Sequence, residues 1–264
     1  MGRRSRLDAE LVRRGLARSR EHAAELVAAG RVTVAGRPAA KAATQVDIAE
    51  PVVVTDAGPT WVSRGAHKLL GALEQLPVQV EGRRCLDAGA STGGFTEVLL
   101  LRGASEVVAV DVGYGQLAWS LRTDPRVVVL DRTNVRDLQP EEVGEPLPGL
   151  VVADLSFIGL GLVLPALRRC ADPGADFLLM VKPQFEVGRD LLGTGGVVRD
   201  PELRVDAVLR VAESAGSVGL GVAGVAASPL PGPAGNVEYF LWLRADASAV
   251  EPAAVRRAVA EGPA

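Results

Sequence analysis

The sequence predicts an α/β fold: a mostly parallel seven-stranded sheet with one antiparallel strand, preceded by a small α+β domain. Three observations carry this. From residue 83 onward, apolar strand-like runs alternate with helix-like stretches across short connections, the rhythm of a parallel sheet covered by helices. The last two apolar runs, 217–226 and 237–243, are joined by Ser228-Pro229-Leu230-Pro231-Gly232-Pro233-Ala234-Gly235, whose prolines prevent a helical crossover and require an antiparallel return. The first sixty residues follow a different pattern and a different charge balance. The expected division is therefore 1–60 and 61–264.

In the N-terminal part, Leu7, Leu11, Val12 and Leu16 have helical spacing, and Gly15 interrupts them. Ser19 can cap a second helix, which Ala23, Ala24, Leu26 and Val27 continue as far as the stop at Gly30. Arg31-Val32-Thr33-Val34 with Ala35-Gly36 reads as a strand and tight turn, and Val52-Val53-Val54 as a last short strand. Arg3, Arg4, Arg6, Arg13, Arg14, Arg18 and Arg20 crowd the helices, a density suited to RNA phosphates. Residues 1–68 hold 12 Lys and Arg against 7 Asp and Glu, while 69–264 hold 17 against 25, so a basic piece precedes an acidic body. Such asymmetry suits a polyanionic partner, although a charged face kept for solubility gives the same count.

Beyond the Asp56-Ala57-Gly58-Pro59 linker, strands are expected at 83–87, 106–110, 126–130, 149–153 and 176–181. Helices are expected near 64–76, 94–102, 115–122, 160–169 and 201–214.

The run from Cys85 to Leu100 is a buried strand, a glycine-rich turn and an amphipathic helix in succession, the opening of a nucleotide-type cofactor site. Asp87, Gly89, Ser91, Gly93, Gly94 and Phe95 are its candidate cofactor-binding residues. A second apolar strand, Glu106 to Val110, ends in Asp111, a carboxylate placed to accept hydrogen bonds from both hydroxyls of a ribose. The turn does not reproduce the dehydrogenase spacing G-x-G-x-x-G, and it lacks the G-K-[ST] that would cradle a triphosphate. An adenosine cofactor without a phosphate chain remains, and S-adenosylmethionine is the usual one. A parallel sheet closed by an antiparallel strand is also the outline of the Rossmann-like class I methyltransferases.

Of the 264 residues, 48% are hydrophobic, enough for a large core. The two cysteines, Cys85 and Cys170, lie in apolar stretches and are expected to be reduced, packed thiols of a cytoplasmic protein. No apolar stretch follows Met1-Gly2-Arg3-Arg4-Ser5-Arg6, so no signal peptide is read there, and no membrane association is expected. Neither His22 nor His67 has the partners of a metal site, and none is expected.

The chain has only three lysines, Lys41, Lys68 and Lys182, against 26 arginines. Lysine, unlike arginine, can lose its proton in a protein. Lys182 ends the apolar strand Phe177-Leu178-Leu179-Met180-Val181, at the sheet edge where α/β ligands bind, and Lys68 follows Ser63-Arg64-Gly65-Ala66-His67 near a helix start.

Six segments together resemble a known family, the TlyA-type hemolysins that are also ribosomal RNA 2′-O-methyltransferases with an FtsJ-like catalytic domain. They are Trp61 to Leu69, Asp87 to Thr96, Asp111 to Leu117, Ala153 to Ile158, Val181 to Glu186 and Gly235 to Phe240. The N-terminal part is similar to the small RNA-binding module first known from a small-subunit ribosomal protein. The resemblance implies a catalytic tetrad of Lys68, Asp154, Lys182 and Glu238. It also implies an adenine contact at Asn134, where an ordinary loop turn is the alternative, and a ribosomal RNA or ribosomal-subunit substrate methylated on cytidine. Lys182 is then the candidate base, Lys68 the neighbouring cation that lowers its pKa, Asp154 the residue that orients Lys182, and Glu238 the one that fixes Lys68 or the ribose. Surface carboxylates that only neutralise the lysines are the plainer reading of Asp154 and Glu238. No obligate protein partner is implied.

Two readings of other classes compete: a membrane-lytic hemolysin, and an RNA-binding factor with an inert catalytic domain. The family usually carries a basic residue two places before its linker tryptophan, where this chain has Pro59 and Thr60. The loop from Glu186 to Arg199, with Gly193, Gly195 and Gly196, is expected to move over substrate.

Overall fold

The computed structural model describes residues 4–28, 30–54 and 61–263, and the chain divides into two compact units, Met1–Thr60 and Trp61–Ala264.

In the first unit, β1 (Arg4–Arg6) pairs antiparallel with β4 (Gln45–Asp47), and β2 (Val32–Val34) lies between β3 (Arg37–Pro38) and β5 (Val52–Val54). The helices α1 (Leu7–Arg13) and α2 (Arg20–Ala28) bury Leu7, Leu11, Ala23, Leu26 and Val27 against Val32, Val46 and Val52. β2, β4 and β5 each give one buried core side chain and β1 and β3 give none, so the helices provide most of the apolar contact that this small unit has.

The second unit is built on β6 (Arg84–Ala88), β7 (Glu106–Asp111), β8 (Val127–Asp131), β9 (Leu150–Ala153), β10 (Asp176–Val181), β11 (Gly221–Ala227) and β12 (Tyr239–Arg244). Their order is β11-β12-β10-β9-β6-β7-β8, and only β12 runs antiparallel to both of its neighbours. Strands are added outward in one direction from β6 and in the other from β9, and this switch between two parallel neighbours opens a crevice at the C-terminal strand ends.

Alternation along the strands sorts side chains to two faces. Cys85, Val107, Val152, Leu178 and Met180 pack under α3 (Gly65–Gln75) and α4 (Gly94–Leu101). Leu86, Val108, Val151, Phe177 and Leu179 pack under α7 (Leu164–Arg169) and α9 (Pro201–Ser217). Cys85 and Cys170 are buried on opposite faces and unbonded. Burial pushes their thiols up to about 12 and about 11, which keeps them unreactive near neutrality.

Several elements differ from expectation for local reasons. The helix expected at 115–122 is only α5 (Trp119–Arg122), because residues before it are drawn under the glycine turn, where the Ala118 N–H donates to the Thr92 carbonyl. The helix expected at 160–169 opens as a 3₁₀ turn at Leu160–Leu162 before α7, whose first turn holds Pro165. The helix expected at 201–214 runs on to Ser217, because buried Val208, Val211, Ala212 and Ala215 extend its apolar stripe, so β11 starts later than the run 217–226 suggests. Short helices at Pro140–Val143 (α6) and Pro183–Glu186 (α8) are additional, and a last helix at Pro252–Glu261 (α10) buries Val255 and Val259 under the sheet.

Among the described residues, no helix is long and apolar enough to cross a membrane.

Candidate active site

Four residues from distant parts of the chain meet at the C-terminal edge of the sheet. Lys68 sits one turn into α3, Asp154 follows β9, Lys182 follows β10, and Glu238 immediately precedes β12. The Lys68 ammonium donates to Glu238 Oε2 at 2.5 Å, with both side chains buried. Lys182 Nζ lies 2.6 Å from Asp154 Oδ1 and donates to the Ser156 hydroxyl at 2.9 Å. Each lysine therefore has its own carboxylate. Ser156 was not singled out in the sequence; its signal was its place two residues after Asp154, in the loop that caps β9.

Two cavities adjoin at this edge and share Gly89, Ser91, Asp154 and Ser156 as lining. One, of about 370 Å³, also presents Arg64, Lys68, Lys182 and Phe95. The other, of about 480 Å³, presents Asp111, Gln116 and Asn134 against apolar walls from Val135, Leu155, Ile158 and Val163.

Asp111 orders the turn between them. Its Oδ2 accepts the Ser91 N–H at 2.8 Å and its Oδ1 accepts the Gly113 N–H at 2.7 Å. Asn134 lines the second cavity and also makes the turn contact weighed as its alternative: its Oδ1 accepts the Arg136 N–H at 3.1 Å.

Three candidate cofactor residues are held against the protein itself. Gly93, at φ +100°, packs on the protein itself: a Cβ there would lie 2.2 Å from Leu121 Cδ1 and 2.8 Å from Leu117 Cδ1. Gly94 lines the smaller cavity, yet its α-carbon is closed off by Ser63, 2.2 Å from where a Cβ would sit. Asp87 lies beneath the turn, outside both cavities, fully buried; its Oδ2 accepts the Thr96 hydroxyl at 2.7 Å. Burial, with Asp154 and Asp111 nearby, pushes its carboxyl up to about 7 against the pull of the Thr96 donors.

The N-terminal arginines are also more occupied than their number suggests. Arg6 and Arg20 bind buried Asp8, and Arg13 and Arg14 bind buried Glu10, at 2.6–3.1 Å. Arg14 further donates to the carbonyls of Ile48 and Glu50, which makes it part of the scaffold of its unit. The paired arginines hold Glu10 down to about 2 and Asp8 well below the usual carboxylate range, against the desolvation that raises both. Among the described residues Arg4 and Arg18 have no ion pair, while Arg3 and the linker positions Pro59 and Thr60 lie outside the described residues.

The glycine-bearing loop after α8 is fastened rather than free. Buried Asn236 accepts the Val198 N–H at 2.9 Å and donates to the Gly196 carbonyl at 3.0 Å. Phe157, 91% exposed at φ +66°, stands at the mouth of the larger cavity with its ring centroid 5.3 Å from that of Phe185. Among the described residues, no group of three or more His, Cys, Asp or Glu could hold a metal ion.

Residues 61–245 match the FtsJ-like methyltransferase family and residues 5–52 match the S4 domain. The 16S/23S rRNA (cytidine-2′-O)-methyltransferase TlyA of Mycobacterium tuberculosis is 64% identical over 269 aligned residues, covering 100% of both chains. Hemolysin A of Brachyspira hyodysenteriae is 34% identical, covering 89% of this chain and 98% of its own. A solved structure from Streptococcus thermophilus, named a candidate hemolysin, has a TM-score of 0.77 at 36% identity and covers 99% of this chain and 96% of its own. The chain belongs to the TlyA family of FtsJ-like methyltransferases with an N-terminal S4 domain.

Proposed function

We propose that this protein transfers a methyl group from S-adenosylmethionine to the 2′-hydroxyl of a cytidine ribose in ribosomal RNA, acting on ribosomal subunits in the cytoplasm. The observation that carries the reading is that Lys182, paired with Asp154, and Lys68, paired with Glu238, line the smaller cavity, which shares Asp154 with the larger one.

The larger cavity fits the cofactor. Asp111 uses one lone pair of each oxygen on a backbone N–H and keeps acceptor capacity for two ribose hydroxyls, while the apolar walls suit a purine ring. Asp111 and Asp154 line this cavity beside the turn, and their carboxylates favour a cationic sulfur. When bound, the cofactor supplies a methyl carbon on that sulfur, open to an oxygen nucleophile.

The chain's own residues prepare the oxygen. A ribose hydroxyl is a weak nucleophile until its proton is removed. Lys182 Nζ, after it has released a proton to solvent, accepts the proton of the hydroxyl and returns to its pairing with Asp154. Ser156 holds the same nitrogen from a second side, so the base has a fixed direction. Lys68, locked by Glu238, remains cationic and stabilises the oxygen as negative charge develops on it. In-line alignment supplies much of the rate, which is why the groups sit on strand ends and a packed helix rather than on a free loop. The exposed ring of Phe157 offers a flat face on which a base turned out of its helix can stack.

The test is nuclease digestion and mass analysis of ribosomal RNA from cells with and without the protein, followed by restoration with purified enzyme and labelled cofactor. A 2′-O-methylcytidine that depends on the protein supports the reading; identical RNA from both strains removes it.

A further inference from the structure

We propose that Arg64 forms a subsite for one phosphodiester group of the RNA backbone, and that this contact turns the target ribose so that its 2′-oxygen faces Lys182. The inference rests on reading the cavity as a site of ribose methylation.

Three cationic side chains line the smaller cavity. Two are already compensated, Lys68 by Glu238 and Lys182 by Asp154. Arg64 is exposed, and among the described residues its side chain forms no ion pair and a single, long hydrogen bond, from Nη2 to the Pro231 carbonyl at 3.4 Å. The cavity thus carries one guanidinium charge without a carboxylate, which an entering anion relieves.

Position and shape both select a phosphate. Arg64 caps the N-terminus of α3 and Lys68 lies four residues further on, so the two side chains share a helix face. The planar N–H fork of a guanidinium matches two non-bridging phosphate oxygens. In RNA the 2′-carbon neighbours the carbon whose oxygen carries the 3′ phosphodiester. A cation fixed beside the base can therefore hold the nucleotide by that phosphate and aim the adjacent hydroxyl. Such a contact positions the backbone and reads no base. A different anion, the carboxylate of the cofactor, could occupy the same fork, and the experiment separates the two.

Full-length wild type, Arg64→Gln and Arg64→Lys are assayed for methyl transfer to ribosomal subunits that lack the mark, across salt concentrations from about 50 to about 200 mM. Affinity for S-adenosylmethionine is measured separately by calorimetry. For Arg64→Gln the KM for RNA rises about tenfold and the slope of log KM against log salt falls by about 0.7–0.9, the loss of a single phosphate contact. Cofactor affinity stays unchanged. Arg64→Lys keeps the slope and recovers part of the KM, because a point charge retains the attraction without the fork. An unchanged salt slope in Arg64→Gln overturns the subsite, and cofactor affinity that weakens in parallel with KM assigns the guanidinium to the cofactor instead. Wild type inactive on ribosomal RNA defeats the functional reading itself; active wild type with an indistinguishable Arg64→Gln defeats only the subsite.

Discussion

Lys182 and Asp154 meet at 2.6 Å because they follow the ends of two neighbouring parallel strands. β10 and β9 are aligned with Leu179 opposite Ala153, so the residues just past each end emerge at the same edge. The Asp154 N–H donates to the Ala88 carbonyl at 3.1 Å, which ties this edge to β6 and the glycine turn beyond it. Strand order thus places an acid, a base and a cofactor turn together without a flexible segment.

The Lys68–Glu238 pair is buried at both ends, so breaking one side leaves an uncompensated charge. Glu238→Gln should lower stability by about 3–5 kcal/mol and reduce methyl transfer. Adding Lys68→Met should restore much of the stability but none of the activity. Thermal unfolding followed by tryptophan fluorescence reports on the second unit alone, since Trp61, Trp119 and Trp242 all lie there. A Glu238→Gln protein that melts with wild type contradicts a buried pair.

Gly93→Ala should destabilise by about 2–3 kcal/mol, combining left-handed backbone strain with displacement of Leu117 and Leu121. Because Gln116 of the cofactor cavity adjoins Leu117, affinity for S-adenosylmethionine should fall as well. Calorimetric binding equal to wild type argues against this coupling.

Asp87 should make stability fall as pH rises. Its carboxyl is raised from 3.8 to about 7 in the folded chain, so below 3.8 both states hold the proton and the contribution is full. Between those values the folded state binds more protons than the unfolded one, and stability drops by a few kcal/mol until it levels above 7. Asp87→Asn should remove this component, so the denaturation midpoint of the variant minus that of wild type should grow from pH 4 to about 7. A difference independent of pH would mean that Asp87 is ionised throughout.

The strands and the two lysines at their edge were legible because apolar runs and retained lysines are local signals, Lys182 ending a five-residue apolar run, whereas Asp154 and Glu238 came from the family resemblance, since a carboxylate facing a lysine and one facing water look alike in sequence. The purpose of Gly93 and Gly94 was not legible, since a glycine that admits a ligand and one that admits Leu121 or Ser63 look alike in one dimension. The arginines of the first unit are a related case. Density of charge is visible in a sequence, whereas the buried Asp8 and Glu10 that engage Arg6, Arg13, Arg14 and Arg20 are recognised only once α1 is packed. The helix at Pro252–Glu261 also went unread, because its apolar face is only a few small residues wide and becomes a core element solely against the sheet.

The central claim, that Lys182 is the base for a ribose hydroxyl, is tested most directly by single-turnover methyl transfer with Lys182→Arg, saturated in both cofactor and ribosomal RNA. Arginine keeps the charge and the pairing with Asp154 but cannot give up its proton, so the rate should fall by about 10²–10⁴ while both ligands still bind. A rate within a few fold of wild type would show that the cation alone suffices and that proton removal lies elsewhere.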